Sequence, residues 1–206
     1  ELCVAGAHDA RPALDGFEDV IYQMPSVEYG HRQQVEHAET HADQREECHI
    51  GEPADLCRLA GEIRDRETMQ ASIDLAGTGH LVLATLHANN CAETLDRVIN
   101  MFPREQHSQV FLDLSQYLRA ILSQRLITAR DGKRCAAVEV MINTPYIQEL
   151  VKKGDVTGIK EAIIASSESG VQSFDVALLE LYKQNRIDLE EALNHADSRA
   201  NLEAKI

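Results

Sequence analysis

The segment of this 206-residue chain that most constrains its fold is the nearly continuous apolar run from His80 to Leu86. Gly77 and Gly79 stand just ahead of this run, and His87 follows it directly. A short apolar run with a glycine boundary favours a strand that is buried on both faces, as the strands of parallel sheets are. Open α/β sheets bind ligands at the carboxyl ends of their strands, so the position of His87 predicts a polar site there.

An amphipathic helix and a second apolar segment precede this strand. Asp65 can cap a helix over residues 66–76, whose apolar face carries Met69, Ile73 and Ala76. Residues 56–60 predict another buried strand, although Arg58 at its centre would need a partner, because an unpaired charge in a central strand is costly. A strand, a helix and a second strand in this order predict an α/β fold.

The chain after His87 shows mainly helical patterns. Helices are predicted over residues 94–101, which stop before Pro103, and over residues 104–126, where apolar residues recur at helical spacing. Asp131-Gly132 is a turn signal, and it predicts a β-hairpin between the segments 125–127 and 136–141. Four more helices are predicted over residues 144–153, 157–167, 173–184 and 189–195, the last with a start at Asp188 and Glu191 that resembles a capping box.

Composition excludes several classes of function. The net charge is −14 and aromatic residues make up 4% of the chain, with no Trp, so binding to nucleic acid through phosphate contacts or base stacking is not expected. No long uncharged apolar run is present, so we expect no membrane span. The five cysteines form no C-x-x-C pair, which favours reduced thiols.

The first 54 residues give few structural signals. Val20-Ile21-Tyr22 is a possible short strand, but polar and charged residues interrupt the other apolar runs. His37, Glu39 and His41 allow the hypothesis of a metal hydrolase, since two histidines four apart share a face of a helix. The zincin pattern is H-E-x-x-H, which places the glutamate one position earlier, so a solvated polar stretch is the favoured interpretation.

Two ordered motifs carry a resemblance to a known family. Gly-Glu-Ile-Arg-Asp at residues 61–65 and the segment from Thr78-Gly79-His80 to Thr85-Leu86-His87 resemble the Walker B segment and the histidine box of the secretion and pilus ATPases. Within this family of ring-forming motors the chain is similar to the type IV pilus retraction branch, PilT and PilU. Further matching segments are Leu95–Arg97, Phe102–Pro103, Ser123–Leu126, Glu139–Met141 and Gly170–Asp175, and the tail at residues 192–198 favours the PilU-like subgroup.

The resemblance implies an α/β fold in three parts. Residues 55–142 would form the C-terminal part of a RecA-like P-loop NTPase core, residues 143–206 a helical C-terminal region, and residues 1–54 a degraded remnant of the core. The phosphate-loop motif G-x-x-x-x-G-K-[ST] does not occur in the 206 residues, and the resemblance places it just upstream of Glu1. Because that loop supplies the main phosphate contacts, we expect this chain alone not to hydrolyse ATP.

The resemblance also suggests roles for individual residues. Glu62 would polarise the attacking water, and His87 would hydrogen-bond the γ-phosphate, although a carboxylate or a histidine after a strand can also be purely structural. Arg64 would either stabilise phosphate charge or pair with Asp65. Thr85 and His80 are weaker candidates near the nucleotide, for which core or hinge roles compete. Arg45 would be a phosphate contact, in cis or in trans, and Glu28 a ligand of the metal's water.

The function that the resemblance implies is that of an ATP-hydrolysing motor subunit for pilus retraction in twitching motility, with ATP and Mg²⁺ as cofactors. Its expected partners are further copies in a hexameric ring, the inner-membrane platform of the pilus and a related retraction ATPase. The expected location is the cytoplasmic side of the inner membrane. The alternative is a non-catalytic fragment that only assembles with motor protomers.

Overall fold

The structure, a computed structural model, describes residues 2–6, 57–166 and 170–206. In these ranges the strands are β1 (Leu2–Gly6), β2 (Cys57–Glu62), β3 (Leu81–Leu86), β4 (Ala120–Thr128) and β5 (Arg134–Ile142). The helices are α1 (Arg66–Gly77), α2 (Cys91–Asn100), α3 (His107–Tyr117), α4 (Pro145–Lys153), α5 (Val156–Ala165), α6 (Phe174–Lys183), α7 (Leu189–His195) and α8 (Arg199–Glu203), with a 3₁₀ turn at Arg104–Gln106.

The strands form one sheet in the order β2-β3-β1-β4-β5. β2 and β3 are parallel, whereas β1 runs antiparallel to both β3 and β4, and β4 runs antiparallel to β5. Glu62 and Thr85 are partners in the parallel register, so β2 and β3 end side by side. Among the described strands β2 pairs only with β3, and Arg58 is the second residue of β2, not its centre as the sequence suggested.

The predicted helix over residues 104–126 is wrong in its second half. Helix α3 ends at Tyr117, and the chain continues as strand β4 from Ala120. The side-chain amide of Asn143 donates to the carbonyls of Ser115 and Leu118 at 3.1 and 2.8 Å, which satisfies acceptors that the end of the helix leaves open. β4 then pairs with β5 over nine residues, so its backbone groups find partners in the sheet.

Several other boundaries depend on caps. The side chain of Asn90 accepts the N–H of Glu93 at 2.7 Å, so α2 begins at Cys91, three residues before the predicted start. Asp65 caps α1 as predicted, by accepting the N–H of Thr68 at 2.8 Å. Asp188 makes no such bond at the start of α7, so the predicted capping box is not formed. Strand β1 and helix α8 were not predicted.

The buried side chains form two clusters. The first packs β3, β4 and β5 against α1 to α5, and the second packs the outer half of the β4–β5 hairpin against α6, α7 and α8. Phe174 and Leu178 of α6 are fully buried in the second cluster. Helices α4 and α5 belong to the first cluster, whereas the predicted helical region begins at residue 143, and that domain boundary stays a prediction.

In the described ranges no helix is both long and apolar enough to cross a membrane. The predicted strand at residues 20–22 and most of the predicted remnant over residues 1–54 lie outside the described residues.

Candidate functional site

A carboxylate and an imidazole meet where two parallel strands end. Glu62 is the last residue of β2, and His87 directly follows the last residue of β3. The Nε2 atom of His87 lies 3.0 Å from Oε1 of Glu62, within hydrogen-bond distance when that nitrogen carries a proton. This edge of an open α/β sheet is the place where such folds bind ligands.

A glycine bulge sets the position of Glu62. The register of β2 against β3 shifts between Leu59 and Gly61, and Gly61 has φ +59°. A Cβ at Gly61 would meet no atom within 4 Å, so glycine is required there for its backbone conformation and not for space. Thr85 braces the bulge, because its Oγ1 donates to the carbonyl of Gly61 at 3.2 Å. The bulge therefore turns the end of β2 so that the Glu62 carboxylate faces His87.

Arg64 pairs with the same carboxylate. Its Nη2 atom lies 2.5 Å from Oε2 of Glu62, so the two carboxylate oxygens are shared between Arg64 and His87. The alternative pairing of Arg64 with Asp65 is not formed, because the Asp65 carboxylate caps α1 through Thr68. The Arg64 and His87 side chains are 76% and 64% exposed, so both can turn toward a ligand in solvent.

The two neighbours keep Glu62 ionised. The hydrogen bond from Arg64 is the main cause that lowers the pKa of the Glu62 carboxyl, and the charges of Arg64 and His87 act in the same direction. The pKa of Arg64 is raised in return, first by the same hydrogen bond. An ionised carboxylate can only accept hydrogen bonds, and it suits the orientation of a water molecule. The exposed guanidinium and imidazole suit an anionic group such as a phosphate.

The loop that carries His87 is held by side chains of the helix that follows it. Arg97, one turn before the end of α2, donates through Nη1 to the carbonyl of His87 at 2.6 Å. The Glu93 carboxylate accepts both the backbone N–H and the side-chain amide of Asn89, at 3.1 and 2.8 Å. Asn90 caps the same helix. The loop is therefore fixed on both sides of residue 88.

Two side chains of the β4–β5 hairpin also contact the backbone of this loop. Oε2 of Glu139 accepts the backbone N–H of Cys91 at 2.7 Å, and Nη2 of Arg125 lies 3.4 Å from the carbonyl of Asn89. The resemblance marks the segments of Arg97, Arg125 and Glu139 as matching, but sequence reasoning assigned them no role. Their only signal was a charged residue inside a matching segment.

The remaining candidates do not join this site in the described residues. His80 lies at the opposite end of β3, where its Nδ1 is 2.9 Å from the Thr78 hydroxyl. Arg45, Glu28 and the pair His37 and His41 fall outside the described residues. Within the described ranges, no three His, Cys, Asp or Glu residues are grouped so as to hold a metal ion.

The family of the chain follows from a match over this whole region. A family profile described as "Type II/IV secretion system protein" matches residues 57–196, which is more than half of the chain. The chain belongs to this family.

Particular relatives narrow the class further. The type IV pilus ATPase PilU of Pseudomonas aeruginosa is 48% identical over 149 residues, which make up 72% of this chain and 39% of that protein. The type IV pilus retraction ATPase PilT of the same organism is 40% identical over 138 residues, which make up 67% of this chain and 40% of that protein. The chain therefore spans about two fifths of the length of these curated relatives.

Solved structures agree with this assignment. A crystal structure of the pilus retraction motor PilT with bound ADP matches with a TM-score of 0.64 at 34% identity, over 72% of this chain and 42% of that chain. The ATPase DotB of Legionella pneumophila matches with a TM-score of 0.59 at 26% identity, over 66% of this chain and 37% of that chain. The predicted α/β fold, the C-terminal part of a RecA-like secretion ATPase followed by helices, is confirmed.

Proposed function

We propose that this chain is the C-terminal part of a type IV pilus motor ATPase subunit, and that Glu62 and His87 face the γ-phosphate of its ATP. The observation that carries the proposal is the contact between Glu62 and His87 at the ends of two parallel strands. Relatives described as pilus ATPases and a retraction motor crystallised with ADP support the choice of nucleotide.

In this proposal each residue has a limited task. Catalysis of phosphoryl transfer consists mainly of positioning and of stabilising charge, so the ionised Glu62 would orient the attacking water. His87 would donate from Nε2 to a γ-phosphate oxygen, and Arg64 would offset the phosphate charge. Both donors are bound to Glu62 in the structure, so an arriving phosphate would compete with that carboxylate for them.

The described residues include the groups proposed for the γ-phosphate but not the one proposed for the metal. The exposed donors suit the terminal phosphate of ATP, and the carboxylate suits the attacking water. Mg²⁺ would neutralise phosphate charge. Its predicted ligand Glu28 and the predicted phosphate contact Arg45 lie outside the described residues, so both remain proposals.

The similarity to pilus motor ATPases also suggests an assembly and a set of partners. We propose that the subunit acts in a hexameric ring on the cytoplasmic face of the inner membrane, with the pilus platform and a related retraction ATPase as partners. The alternative is a chain that assembles with motor protomers without hydrolysing ATP.

A hybrid protein tests the contact with the γ-phosphate. Residues 57–196 of this chain would replace the matching segment of Pseudomonas aeruginosa PilU, which supplies the upstream part; we name this protein the PilU hybrid. His87→Ala should weaken binding of a non-hydrolysable ATP analogue about tenfold, because a hydrogen bond to a charged group is lost, and should leave ADP binding unchanged. His80→Ala, at the far end of β3, is the matched control and should change neither affinity. Equal loss of ATP-analogue and ADP binding in His87→Ala would contradict the γ-phosphate contact.

A further inference from the structure

Two charged side chains of the β4–β5 hairpin reach the loop of His87, and the proposed function gives neither a task. In the antiparallel register Ser123 is the partner of Glu139, and Arg125 is the partner of Ala137. Directly opposed residues share a face of the sheet, as do residues two apart in a strand, so Arg125 and Glu139 lie on one face. Glu139 is 5% exposed and the Arg125 side chain 22%.

Glu139 holds the start of the helix that follows the loop. Its Oε2 accepts the N–H of Cys91, the first residue of α2, at 2.7 Å. A buried carboxylate is costly unless it is hydrogen-bonded, and the N-terminus of a helix is a favourable place for it. The hydroxyl of Ser123, directly opposite, has no hydrogen-bond partner within the described part of the chain. The bond from the Cys91 N–H thus holds this carboxylate to the backbone at the start of α2.

Arg125 connects the same loop to the C-terminal helices. Its Nη2 lies 2.8 Å from Oδ1 of Asp197, and its Nη1 donates to the carbonyl of His195 at 2.9 Å. The guanidinium carbon lies 3.8 Å from the ring centroid of Phe174 on α6. On its other side Nη2 reaches the carbonyl of Asn89 at 3.4 Å. One side chain thus contacts the loop, α6, the last residue of α7 and the segment between α7 and α8.

We propose that Glu139 and Arg125 are positioning residues for His87, and that through them the placement of the C-terminal helices sets the placement of the imidazole. The backbone leaves little freedom between the two ends of the loop. Arg97 fixes the carbonyl of His87 and Glu139 fixes the N–H of Cys91, with only three residues between them. A shift of Asp197 or His195 moves Arg125, and with it the contact that Arg125 makes with the carbonyl of Asn89 in this short loop.

The consequence for catalysis rests on the proposed function. The coupling between the C-terminal helices and the loop of His87 is measured without nucleotide. The 206-residue chain carries Arg125→Lys or Glu139→Leu, and hydrogen exchange is followed by mass spectrometry in peptides that contain residues 88–91. Each variant should speed exchange there about tenfold, since a hydrogen bond that involves a charged group is lost. The imidazole ¹⁵N signals of His87, assigned by their loss in His87→Gln, should shift in both variants.

Matched variants separate positioning from general loosening. Arg130 also ties the hairpin to the C-terminal helices, through an ion pair of 2.7 Å with Asp188, but it does not contact the loop. Arg130→Lys should therefore leave the loop exchange and the His87 signals unchanged. Glu139→Gln keeps an acceptor oxygen for Cys91 and should restore both readouts toward the values of the unaltered chain. Exchange in α5 reports global unfolding and should not change in Arg125→Lys.

Three outcomes overturn the inference: unchanged loop exchange and His87 signals in Arg125→Lys, an equal response in Arg130→Lys, or a response that is spread evenly to α5. If Glu139→Leu does not fold, Arg125→Lys and Glu139→Gln still decide the question. If His87→Ala leaves ATP-analogue binding intact in the PilU hybrid, the proposed function is wrong. The hydrogen-exchange result tests the positioning of His87 independently of that outcome.

Discussion

Glu62 and His87 lie 3.0 Å apart across the ends of two parallel strands, and the same Glu62 carboxylate takes a 2.5 Å hydrogen bond from Arg64. The groups that would bind phosphate are thus paired with the group that would orient water. In the proposed function an incoming phosphate would compete with this carboxylate for both partners. The ion pair is solvent-exposed, so its exchange for a phosphate contact costs little.

The first prediction concerns the pKa of Glu62. Arg64→Ala removes the largest cause of the lowered pKa, so the Glu62 pKa should rise toward the usual value for a glutamate. The carboxyl ¹³C shift of Glu62, followed by NMR as a function of pH, measures this change. Arg66→Ala, two residues further on and exposed, is the control and should leave the titration unchanged. A Glu62 titration that is the same in Arg64→Ala would show that the pair does not persist in solution.

The second prediction tests the strand that replaces the predicted helical end. Ile127 is fully buried and Leu126 is 51% exposed, because neighbouring residues in a strand point to opposite faces. Ile127→Ala should lower the free energy of unfolding by about 2–5 kcal/mol. Leu126→Ala should change it by less than about 0.5 kcal/mol. Urea unfolding measures both, and a larger cost at Leu126 would favour the helix of residues 104–126 over strand β4.

The third prediction concerns the dependence of stability on pH through Glu139. Burial raises the pKa of this carboxyl, with Asp197 acting in the same direction and the Cys91 N–H and Arg125 opposing it. Between the unfolded pKa, about 4.3, and the raised folded pKa, the folded state holds a proton that the unfolded state has released. Its stability therefore falls as the pH rises through this window.

Glu139→Gln removes this titration. Its free energy of unfolding relative to the unaltered chain should rise as the pH increases above about 4.3, as measured by urea unfolding at several pH values. Glu161→Gln, exposed on α5, gives the background for loss of one carboxylate. A constant difference between Glu139→Gln and the unaltered chain at all pH values would contradict the burial of an ionisable Glu139.

Much of the fold could be predicted because its signals are local. Asp65 before an apolar periodicity predicted the start of α1, and Asp131-Gly132 predicted the hairpin turn, where Gly132 has φ +78°. The segment 104–126 could not be divided correctly from its pattern. Leu118 and Ile121 are both buried, so the helical spacing of apolar residues continues across the end of α3 into a strand. The deciding contact, from Asn143, lies 25 residues away in sequence.

The same distinction holds for the site. Glu62 and His87 could be selected because the resemblance adds a role to their positions at the ends of predicted strands, and the parallel register of β2 and β3 brings them together. Glu139 and Arg125 could not be assigned, because their contacts to Cys91 and Asn89 cross 48 and 36 residues of sequence. A buried carboxylate in the alternating pattern of a strand looks like a solvent-facing residue until the partner strand and helix are placed.

The measurement that tests the central claim most directly is ATP turnover by the PilU hybrid with and without Glu62→Gln. If Glu62 orients the attacking water, the hybrid hydrolyses ATP, and Glu62→Gln lowers kcat by about 100-fold or more while nucleotide binding is retained. Glu67→Gln, exposed in the first turn of α1, is the control for loss of a nearby carboxylate and should keep full turnover. An undiminished kcat in Glu62→Gln would contradict the assignment of this site.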